Sequence, residues 1–362
     1  MIITFIIYLG FLFITIFLVW ISKLLKNAIL RKAAIFLSFF NIILISGLRG
    51  PTVGVDNYEY SEWFRLLNIE NGLMEAISTN IIDYEPGFVL INYFIKTVNL
   101  NYNYALILYS ILIWSPIFIF FKHLKDFHFA IFSFLTLGFL FFAFNGQRQA
   151  IAQGFIFLGV YFLIDKKKYH FLLSIISATM FHFSAILLLS IFFINKISKL
   201  PVYIWFVGII GSLIIPLSLL FGIIEKIAEL FPYYGSYIEN DNFKQANSIS
   251  AGVLYQVLFE LIVLYFYKNF AKTKLEILFF NLFFIGAIMY NMFYGNLFLN
   301  RIVVYFLFFQ PFVISIILSK LNFQKKYLEI LSILLALFAL FVYKILYNDS
   351  GCSPYVFSNY LI

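Results

Sequence analysis

Long apolar runs without charges are the feature that most restricts what this chain can fold into. A helix that spans a membrane needs about 20 consecutive, mainly apolar residues, and the 362-residue sequence contains many runs near that length. Of all residues, 63% are hydrophobic and only 12% are charged, whereas a soluble domain carries about 25% charged residues. A soluble protein of this size could not keep so much apolar surface away from water. The sequence therefore predicts an all-α, polytopic integral membrane protein.

About eleven segments are candidates for transmembrane or re-entrant helices, and we expect a number between about ten and twelve. They are Ile2–Ser22, Ala33–Leu48, Asn103–Phe121, Phe127–Phe144, Gln149–Ile164, Phe171–Ile194, Val202–Ile224, Ala251–Tyr267, Leu275–Gly295, Ile302–Ser319 and Tyr327–Leu346. The apolar run Phe88–Ile95 is too short to cross a bilayer and predicts a surface or re-entrant helix. We expect residues 1–362 to form a single transmembrane domain, with large extracytoplasmic loops at residues 49–102 and 225–250.

The distribution of lysine predicts the orientation, because cytoplasmic loops of membrane proteins are enriched in basic residues. Five loops carry clusters of lysine, namely those that follow the first, third, fifth, eighth and tenth segments. Residues 49–85 are instead rich in acids, which places this loop outside. Successive segments should cross the membrane in alternating directions, but the two segments between residues 171 and 224 would return the chain to the wrong side. Either Phe171–Ile194 is bent or re-entrant around His182, which we favour, or one boundary is wrong.

Arginine is distributed differently from lysine. Arg31 lies with lysines in a predicted cytoplasmic loop, but Arg49, Arg148 and Arg301 lie at predicted outer ends of apolar segments. A guanidinium is a permanently charged planar fork that binds phosphate or carboxylate through two parallel hydrogen bonds. Three such forks at one membrane face predict a site for an anionic headgroup. The alternative is that each arginine snorkels to the interface or pairs with an acid of the outer loop.

Three further residues are candidate proton acceptors, and the sequence does not rank them. His182 lies in an otherwise apolar run, where an ionisable group is costly, and histidine is the commonest general acid or base near neutral pH. A hydrogen bond between helices is its structural alternative. Asp56 and Glu85 lie in the outer loop beside the aromatic residues Tyr60 and Tyr84. Carboxylates next to aromatic rings are typical of carbohydrate sites, and a carboxylate can act as a base toward a sugar hydroxyl.

Several classes of protein and of site are excluded. The formal net charge is +8, but basic residues in a chain this apolar report topology rather than binding to nucleic acid. The single cysteine, Cys352, excludes a disulfide framework and a cysteine-based metal site. His182 is accompanied by no second histidine at a metal-ligand spacing. We therefore expect no metal.

Four short motifs, in order along the chain, resemble the EpsG-like group of Wzy-type polysaccharide polymerases. They are Arg49–Asp56 with Tyr60, Tyr84–Phe88, Asn145–Ala152 and Phe181–Ala185. Arg301 with Tyr305, near the start of a late span, is also similar to this group. Each motif is short, but four in order with a matching hydropathy pattern make the resemblance specific over most of the chain. Phe183 stands where this group often has proline.

The resemblance implies a GT-C-like membrane glycosyltransferase. Such enzymes join oligosaccharide repeat units carried on undecaprenyl pyrophosphate, at the outer, periplasmic face of the bacterial inner membrane. The product is O-antigen, capsule or exopolysaccharide. Donor and acceptor are both lipid-linked, and neither a metal, a nucleotide nor another cofactor is expected. The sequence leaves open whether a chain-length regulator is a further partner.

The resemblance also implies roles for the residues singled out above. Arg148 and Arg301 would bind the pyrophosphate, with Arg49 as a third contact or as the partner of Asp56. Gln149 and Tyr305 would support them. Preorganised cations beside a leaving group whose charge increases are often the largest catalytic contribution.

The attacking sugar hydroxyl needs a proton acceptor, for which His182, Asp56 and Glu85 remain the candidates. His182 could instead donate a hydrogen bond to the pyrophosphate. Tyr60 and Tyr84 would stack on sugar rings.

A flippase or other transporter of the same lipid-linked oligosaccharide is the alternative function. It would also need many spans and a cationic cavity. The charges of a transporter, however, follow a path across the bilayer, often with internal repeats. Here the arginines cluster at one predicted face and no repeat is visible, which favours an enzyme.

Overall fold

The computed structural model describes residues 1–79, 84–214, 251–294, 296–322 and 324–358. Within these ranges the regular structure is helical, and extended residues pair only at an isolated bridge between Arg49 and Phe357. The prediction of an all-α membrane protein is confirmed in this respect. The predicted loop 225–250 lies outside the described residues.

The helices follow the apolar runs of the sequence. Before residue 200 they are α1 (Ile2–Leu24), α2 (Ala28–Gly47), α3 (Asn57–Leu66), α4 (Leu73–Ser78), α5 (Pro86–Thr97), α6 (Tyr102–Ile119), α7 (Phe127–Thr136), α8 (Phe139–Asn145), α9 (Gln147–Ile164), α10 (Lys168–Thr179) and α11 (Ile191–Ile194). After it they are α12 (Val202–Ile214), α13 (Ala251–Phe270), α14 (Lys274–Phe293), α15 (Leu297–Leu307), α16 (Gln310–Lys320) and α17 (Tyr327–Leu346). Short 3₁₀ helices are formed by Phe120–Lys122, Phe183–Ser190 and Asp349–Gly351.

In the described residues, seven helices are long and apolar enough to cross a membrane. The number is eight if α7 and α8, which are bent by 51° relative to each other, form one broken span. Gly138, between them, has a φ of 92°, a conformation that favours glycine. The protein is therefore integral to a membrane, and the expected count of about eleven segments stays a prediction.

The segments that fall short of this test have identifiable reasons. Helix α9 begins with three polar residues, Gln147, Arg148 and Gln149, which lower its mean hydropathy. The predicted segment Phe171–Ile194 is interrupted, since α10 ends at Thr179 and a 3₁₀ helix begins at Phe183. His182 therefore lies in a break between helices, as the sequence analysis expects. The predicted segment Val202–Ile224 is described only as far as Ile214.

Contacts divide the chain into two compact units. The first unit comprises Met1–Leu188 and Leu321–Ile362. In it α9 packs against α6 and α10, while α2 packs against α1 and α6. Most residues of α9 are buried, so the helix that begins with Gln147 and Arg148 is enclosed by its neighbours. This position brings its polar first turn into contact with Asn57 and Glu85.

The second unit comprises Leu189–Lys320, in which α14 contacts α12, α13 and α15. A buried polar contact joins two of these helices. Glu260 on α13 is 0% exposed, and its Oε2 accepts a hydrogen bond from Asn291 Nδ2 on α14 at 3.0 Å. Inside a membrane bundle such a bond holds helices together.

Candidate functional site

Three of the predicted motifs meet in the first unit. Glu85 is the N-cap residue of α5, whose first residue is Pro86. Proline suits this position, because its fixed φ is that of a helix and the N–H it lacks would have no partner there. Arg148 is the second residue of α9, which Gly146 alone separates from α8. His182 lies in the break after α10. The three side chains come from parts of the chain that are far apart in sequence.

Arg148, Glu85 and His182 form a continuous series of contacts, which we call the Arg148 cluster. Arg148 Nη1 donates to Glu85 Oε2, and His182 Nδ1 lies 3.0 Å from Glu85 Oε1. Glu85 is 1% exposed and His182 4% exposed, whereas 13% of the Arg148 side chain is exposed. One carboxylate thus binds both neighbours, and Arg148 is the member that reaches the surface.

A close approach of two backbone segments positions His182. The Gly87 N–H donates to the Met180 carbonyl oxygen at 2.8 Å. A Cβ atom added at Gly87 would lie 2.8 Å from that same oxygen, which is closer than real Cβ contacts. Glycine is therefore needed here, in the second residue of α5, because it lets the chain after α10 reach Glu85.

Tyr60 and Tyr84 fix the plane of the Arg148 guanidinium. Arg148 Nε lies 3.5 Å from the Tyr60 hydroxyl oxygen, and Arg148 Cζ lies 4.4 Å from the centroid of the Tyr84 ring, within the range of a cation–π contact. Both tyrosines are buried and pack with Trp63 and Phe88, with ring centroids 4.8 Å apart for Trp63 and Tyr84. In this arrangement the two tyrosines face Arg148. Their stacking on sugars stays a prediction.

Burial and hydrogen bonding act in opposite directions on Glu85. Burial raises the pKa of the carboxyl group, because the charged form loses hydration, but the hydrogen bond from His182 and the charge of Arg148 lower it further than burial raises it. The net pKa lies below its ordinary value, so Glu85 is ionised at neutral pH. An ionised carboxylate with both oxygens engaged is a weak proton acceptor. Glu85 is better suited to positioning Arg148 and His182.

Asp56, the third candidate proton acceptor, lies on the surface of the loop that is predicted to face outward. It is exposed and immediately precedes α3. Its backbone N–H donates to Asn145 Oδ1 at 3.1 Å, three residues before Arg148 in the sequence. Asp56 is thus bonded to the segment that leads into Arg148, but it is not a member of the buried Arg148 cluster.

Arg49 lies in a different environment of the same unit. It is 2% exposed, its Nη1 donates to the Ser46 carbonyl oxygen, and its Cζ lies 4.4 Å from the centroid of the Phe144 ring. The neighbouring backbone is bonded to the C-terminal segment, since the Gly50 N–H donates to the Val356 carbonyl oxygen at 2.7 Å. Arg49 therefore lies in a buried junction, where the bond to Ser46 is its hydrogen bond to the backbone. Its predicted roles, a third contact to the pyrophosphate or the partner of Asp56, stay predictions.

Sequence reasoning missed a buried amide network beside both arginines. Asn57 Oδ1 accepts hydrogen bonds from Gln147 Nε2 at 2.7 Å and from the Tyr102 hydroxyl at 3.0 Å. Asn103 Nδ2 donates to the Gly47 carbonyl oxygen at 2.8 Å. Because Gln147 precedes Arg148, this network fixes the start of α9. The only signal in the sequence was that polar residues stand at the ends of apolar runs.

The remaining predicted site residues are Gln149, Arg301 and Tyr305. Gln149 follows Arg148 on α9 and is 7% exposed. Arg301 and Tyr305 lie four residues apart on α15, in the second unit; Tyr305 is 0% exposed and Arg301 is partly exposed. A contribution of Arg301 and Tyr305 to the Arg148 cluster stays a prediction.

The charge of the Arg148 cluster bears on which ligands it can hold. Glu85 and His182 are bonded to each other, and the Arg148 guanidinium lies against the carboxylate. The Arg148 guanidinium suits a phosphate rather than a metal ion, and the ionised Glu85 carboxylate offsets part of its charge. Among the described residues, no group of three or more His, Cys, Asp or Glu side chains could hold a metal ion.

Comparison with known proteins gives one family. A sequence model described as the EpsG family matches residues 32–357, nearly the whole chain. The matched range contains all residues of the Arg148 cluster as well as Arg49 and Arg301. No curated protein and no solved structure gives a significant match to the chain.

Proposed function

The chain belongs to the EpsG family, a Wzy-type polysaccharide polymerase family, and on this premise we propose that it joins lipid-linked oligosaccharide repeat units at the outer face of the bacterial inner membrane. The proposed donor and acceptor are carried on undecaprenyl pyrophosphate, and the product is O-antigen, capsule or exopolysaccharide. The observation that carries the proposal is the Arg148 cluster, which combines a partly exposed cation with a buried carboxylate–histidine pair.

Arg148 is the proposed contact to the pyrophosphate. When the glycosidic bond to the carrier breaks, negative charge develops on the pyrophosphate, and a preorganised cation stabilises that charge without reorganising. The ring of Tyr84 and the carboxylate of Glu85 hold the guanidinium in one plane, and part of its side chain stays exposed. Arg301 is the proposed second cation.

His182 is the proposed proton acceptor, and Glu85 is the residue that positions it. If Nδ1 carries the proton that Glu85 Oε1 accepts, the lone pair of Nε2 can take the proton of the attacking sugar hydroxyl. The Glu85 carboxylate then stabilises the imidazolium that forms. His182 is 4% exposed, so the proposed acceptor hydroxyl approaches a largely buried imidazole. Asp56 is the alternative proton acceptor.

Sidedness, metal independence and a GT-C-like arrangement complete the proposal. The acidic loop that carries Asp56 and Glu85 supports an outward-facing site, because lysine is concentrated in the loops on the other predicted side. Metal independence follows from the chemistry, since arginine here supplies the positive charge that a divalent cation would otherwise supply to the leaving group. The GT-C-like arrangement comes from the family resemblance.

Deletion of the gene in its host bacterium tests the function as a whole. A polymerase mutant retains the glycolipid that carries a single repeat unit at the outer face and loses the ladder of longer chains on a gel of surface polysaccharide. Loss of every repeat unit from the outer face would instead indicate a flippase and contradict the proposal. A gene copy that restores the ladder is the control.

Reconstitution tests the chemistry directly. Purified protein in proteoliposomes, supplied with lipid-linked repeat units, should form long chains in the presence of a chelator. Formation of polymer only after addition of a divalent cation would contradict the metal-independent mechanism while leaving the polymerase function intact.

A further inference from the structure

A groove with a basic rim lies between α2 and α6. Its volume is about 480 Å³, and its walls include Phe36, Phe39 and Phe118. The rings of Phe39 and Phe118 lie edge to face with their centroids 5.3 Å apart. Three cationic side chains line the groove, namely Arg31, Lys32 and Lys122. It therefore combines an apolar trough with a local excess of positive charge.

The three cations are unusual for their position. All are exposed, and within the described part of the chain none forms an ion pair with a carboxylate. Lys23, in contrast, is paired with Asp126. Arg31 and Lys32 also lie near the N-terminus of α2, where the partial positive charge of the helix disfavours cations. A bound anion would offset the repulsion between the three cations and the repulsion between two of them and the positive end of α2.

An anion in this groove would be bound by the three side chains rather than by the N-terminus of α2, because N–H groups at that helix end already have a partner. The Asn27 side chain accepts hydrogen bonds from the Ile29 and Leu30 N–H groups at the start of α2. Arg31 and Lys32 follow directly, and Lys122 ends the 3₁₀ helix after α6. The groove thus lies at the end of α2 opposite Gly47 and at the end of α6 opposite Tyr102. Along the axis of α2, Lys32 and Gly47 are roughly 22 Å apart.

We propose that this groove binds one anionic glycerophospholipid. Its phosphate lies among Arg31, Lys32 and Lys122, and an acyl chain lies along Phe36 and Phe118. The lysine distribution assigns these ends of α2 and α6 to the cytoplasmic leaflet, and basic pockets between helices on that side suit anionic headgroups. A neutral phospholipid would leave the three cations uncompensated, and a free phosphate would leave the aromatic trough unfilled. The bound lipid holds α2 against α6.

Native mass spectrometry of the full chain tests this proposal. The protein is released from nanodiscs that contain equal amounts of phosphatidylglycerol and phosphatidylcholine. The wild type should retain phosphatidylglycerol selectively. The triple variant Arg31→Gln/Lys32→Gln/Lys122→Gln should retain it at least about tenfold less, since basic residues near a membrane surface attract anionic lipid headgroups. A control variant removes three exposed lysines on the same predicted side, Lys268→Gln/Lys272→Gln/Lys274→Gln, and should retain lipid as the wild type does.

Several outcomes would overturn the proposal. Equal retention by the wild type and the groove variant would show that these cations bind no lipid. An equal loss in the control variant would indicate unspecific attraction to the bilayer surface. Equal retention of phosphatidylcholine would indicate a groove for any lipid, and release of phosphatidylglycerol by millimolar inorganic phosphate would indicate a site for soluble anions.

A measurement on the wild type covers the case in which the triple variant does not fold. Photoactivatable phosphatidylglycerol, and not the matching phosphatidylcholine, should crosslink to peptides that contain Phe36 or Phe118. Crosslinks that map only to other helices would contradict the proposal.

Discussion

Arg148 and Arg49 occupy the same unit and make the same kind of contact, but their surroundings assign them different tasks. Each guanidinium carbon lies 4.4 Å from the centroid of an aromatic ring, Tyr84 for Arg148 and Phe144 for Arg49. Arg148 is paired with the buried carboxylate of Glu85 and remains partly exposed. Arg49 donates to a neutral backbone carbonyl and is 2% exposed.

The difference lies in what surrounds the guanidinium rather than in the arginine itself. Glu85 and His182 are both titratable, so a proton can shift between them when an anionic ligand changes the charge nearby. A carbonyl group and a phenyl ring form a fixed contact that only stabilises. Burial lowers the pKa of Arg49, as expected for a cation held away from water without an acidic partner. Two arginines at the ends of apolar runs therefore differ in their surroundings because of their tertiary contacts, and we propose different roles for them on this basis.

The largest effect is expected for Arg148. Arg148→Ala should lower the initial rate of polymer formation in proteoliposomes by about 10²–10³-fold, the cost of removing one preorganised group that stabilises developing charge. Arg148→Lys keeps the charge but loses the planar fork and should stay at least about tenfold impaired. Arg65→Ala is the matched control, because Arg65 is an exposed arginine of the outer loop paired with Glu62. Wild-type chain lengths from Arg148→Ala would remove Arg148 from the site.

His182→Asn should lower the same rate by about 10²-fold, a typical contribution of a general base. The asparagine amide nitrogen takes the place of Nδ1 and can still donate to Glu85 Oε1, but nothing replaces Nε2. The variant therefore separates the proton acceptor from a purely structural histidine. Full activity of His182→Asn would make Asp56 the remaining candidate for the base.

Gly87→Ala should impair polymer formation by about tenfold, because small displacements of positioned groups are costly in rate. The added methyl group would lie 2.8 Å from the Met180 carbonyl oxygen and would push the His182 segment away from Glu85. Gly10→Ala is the control, since a Cβ there meets no atom within 4 Å. An unchanged rate in Gly87→Ala would show that the spacing between Glu85 and His182 is not critical.

Arg49→Met tests the other side of the comparison. The expected loss is one of stability, roughly 1–3 kcal/mol for leaving buried partners unsatisfied, visible as a lower melting temperature of the detergent-solubilised protein. The rate per folded molecule should remain within about twofold of the wild type. A loss of rate as large as that of Arg148→Ala would instead show that Arg49 contacts the pyrophosphate.

The smallest effect concerns the dependence of stability on pH. The pKa of Glu85 is lowered from its ordinary value of 4.5 in the folded protein, so its ion pair stabilises the fold fully above that pH. This contribution is lost as the pH falls through the lower folded value. The melting temperature of Glu85→Gln should therefore fall less steeply below pH 4.5 than that of the wild type. Arg49→Met should keep the slope of the wild type, because its contacts with Ser46 and Phe144 contain no acid.

Much of the architecture could be predicted from the sequence, because it depends on local properties. Runs of apolar residues predicted helices such as Tyr327–Leu346 at their observed bounds. The break around His182 was the favoured one of two explanations for the failed alternation of sides. The bend at Gly138 was missed, since one glycine in an apolar run does not reveal whether the helix continues.

The composition of the candidate site was also visible in the sequence, but its connections were not. Arg148 and Glu85 are 63 positions apart, and Glu85 and His182 are 97 positions apart. No local pattern encodes such pairs, which depend on how α5, α9 and the chain after α10 pack together. The roles of Asn57 and Gln147 in the amide network were hidden for the same reason.

The sequence by itself determined that this chain enters a membrane as a set of helices, which residue types stand at their ends, and which family they resemble. These properties follow from the free energy of transfer of apolar residues and from short ordered motifs. Only the tertiary structure decided that Arg148 joins a carboxylate and a histidine while Arg49 is enclosed by a carbonyl and a ring. The physical reason is that burial and pairing are set by contacts between distant segments. The same type of side chain can therefore be fully enclosed in one place and remain partly exposed beside a buried carboxylate in another.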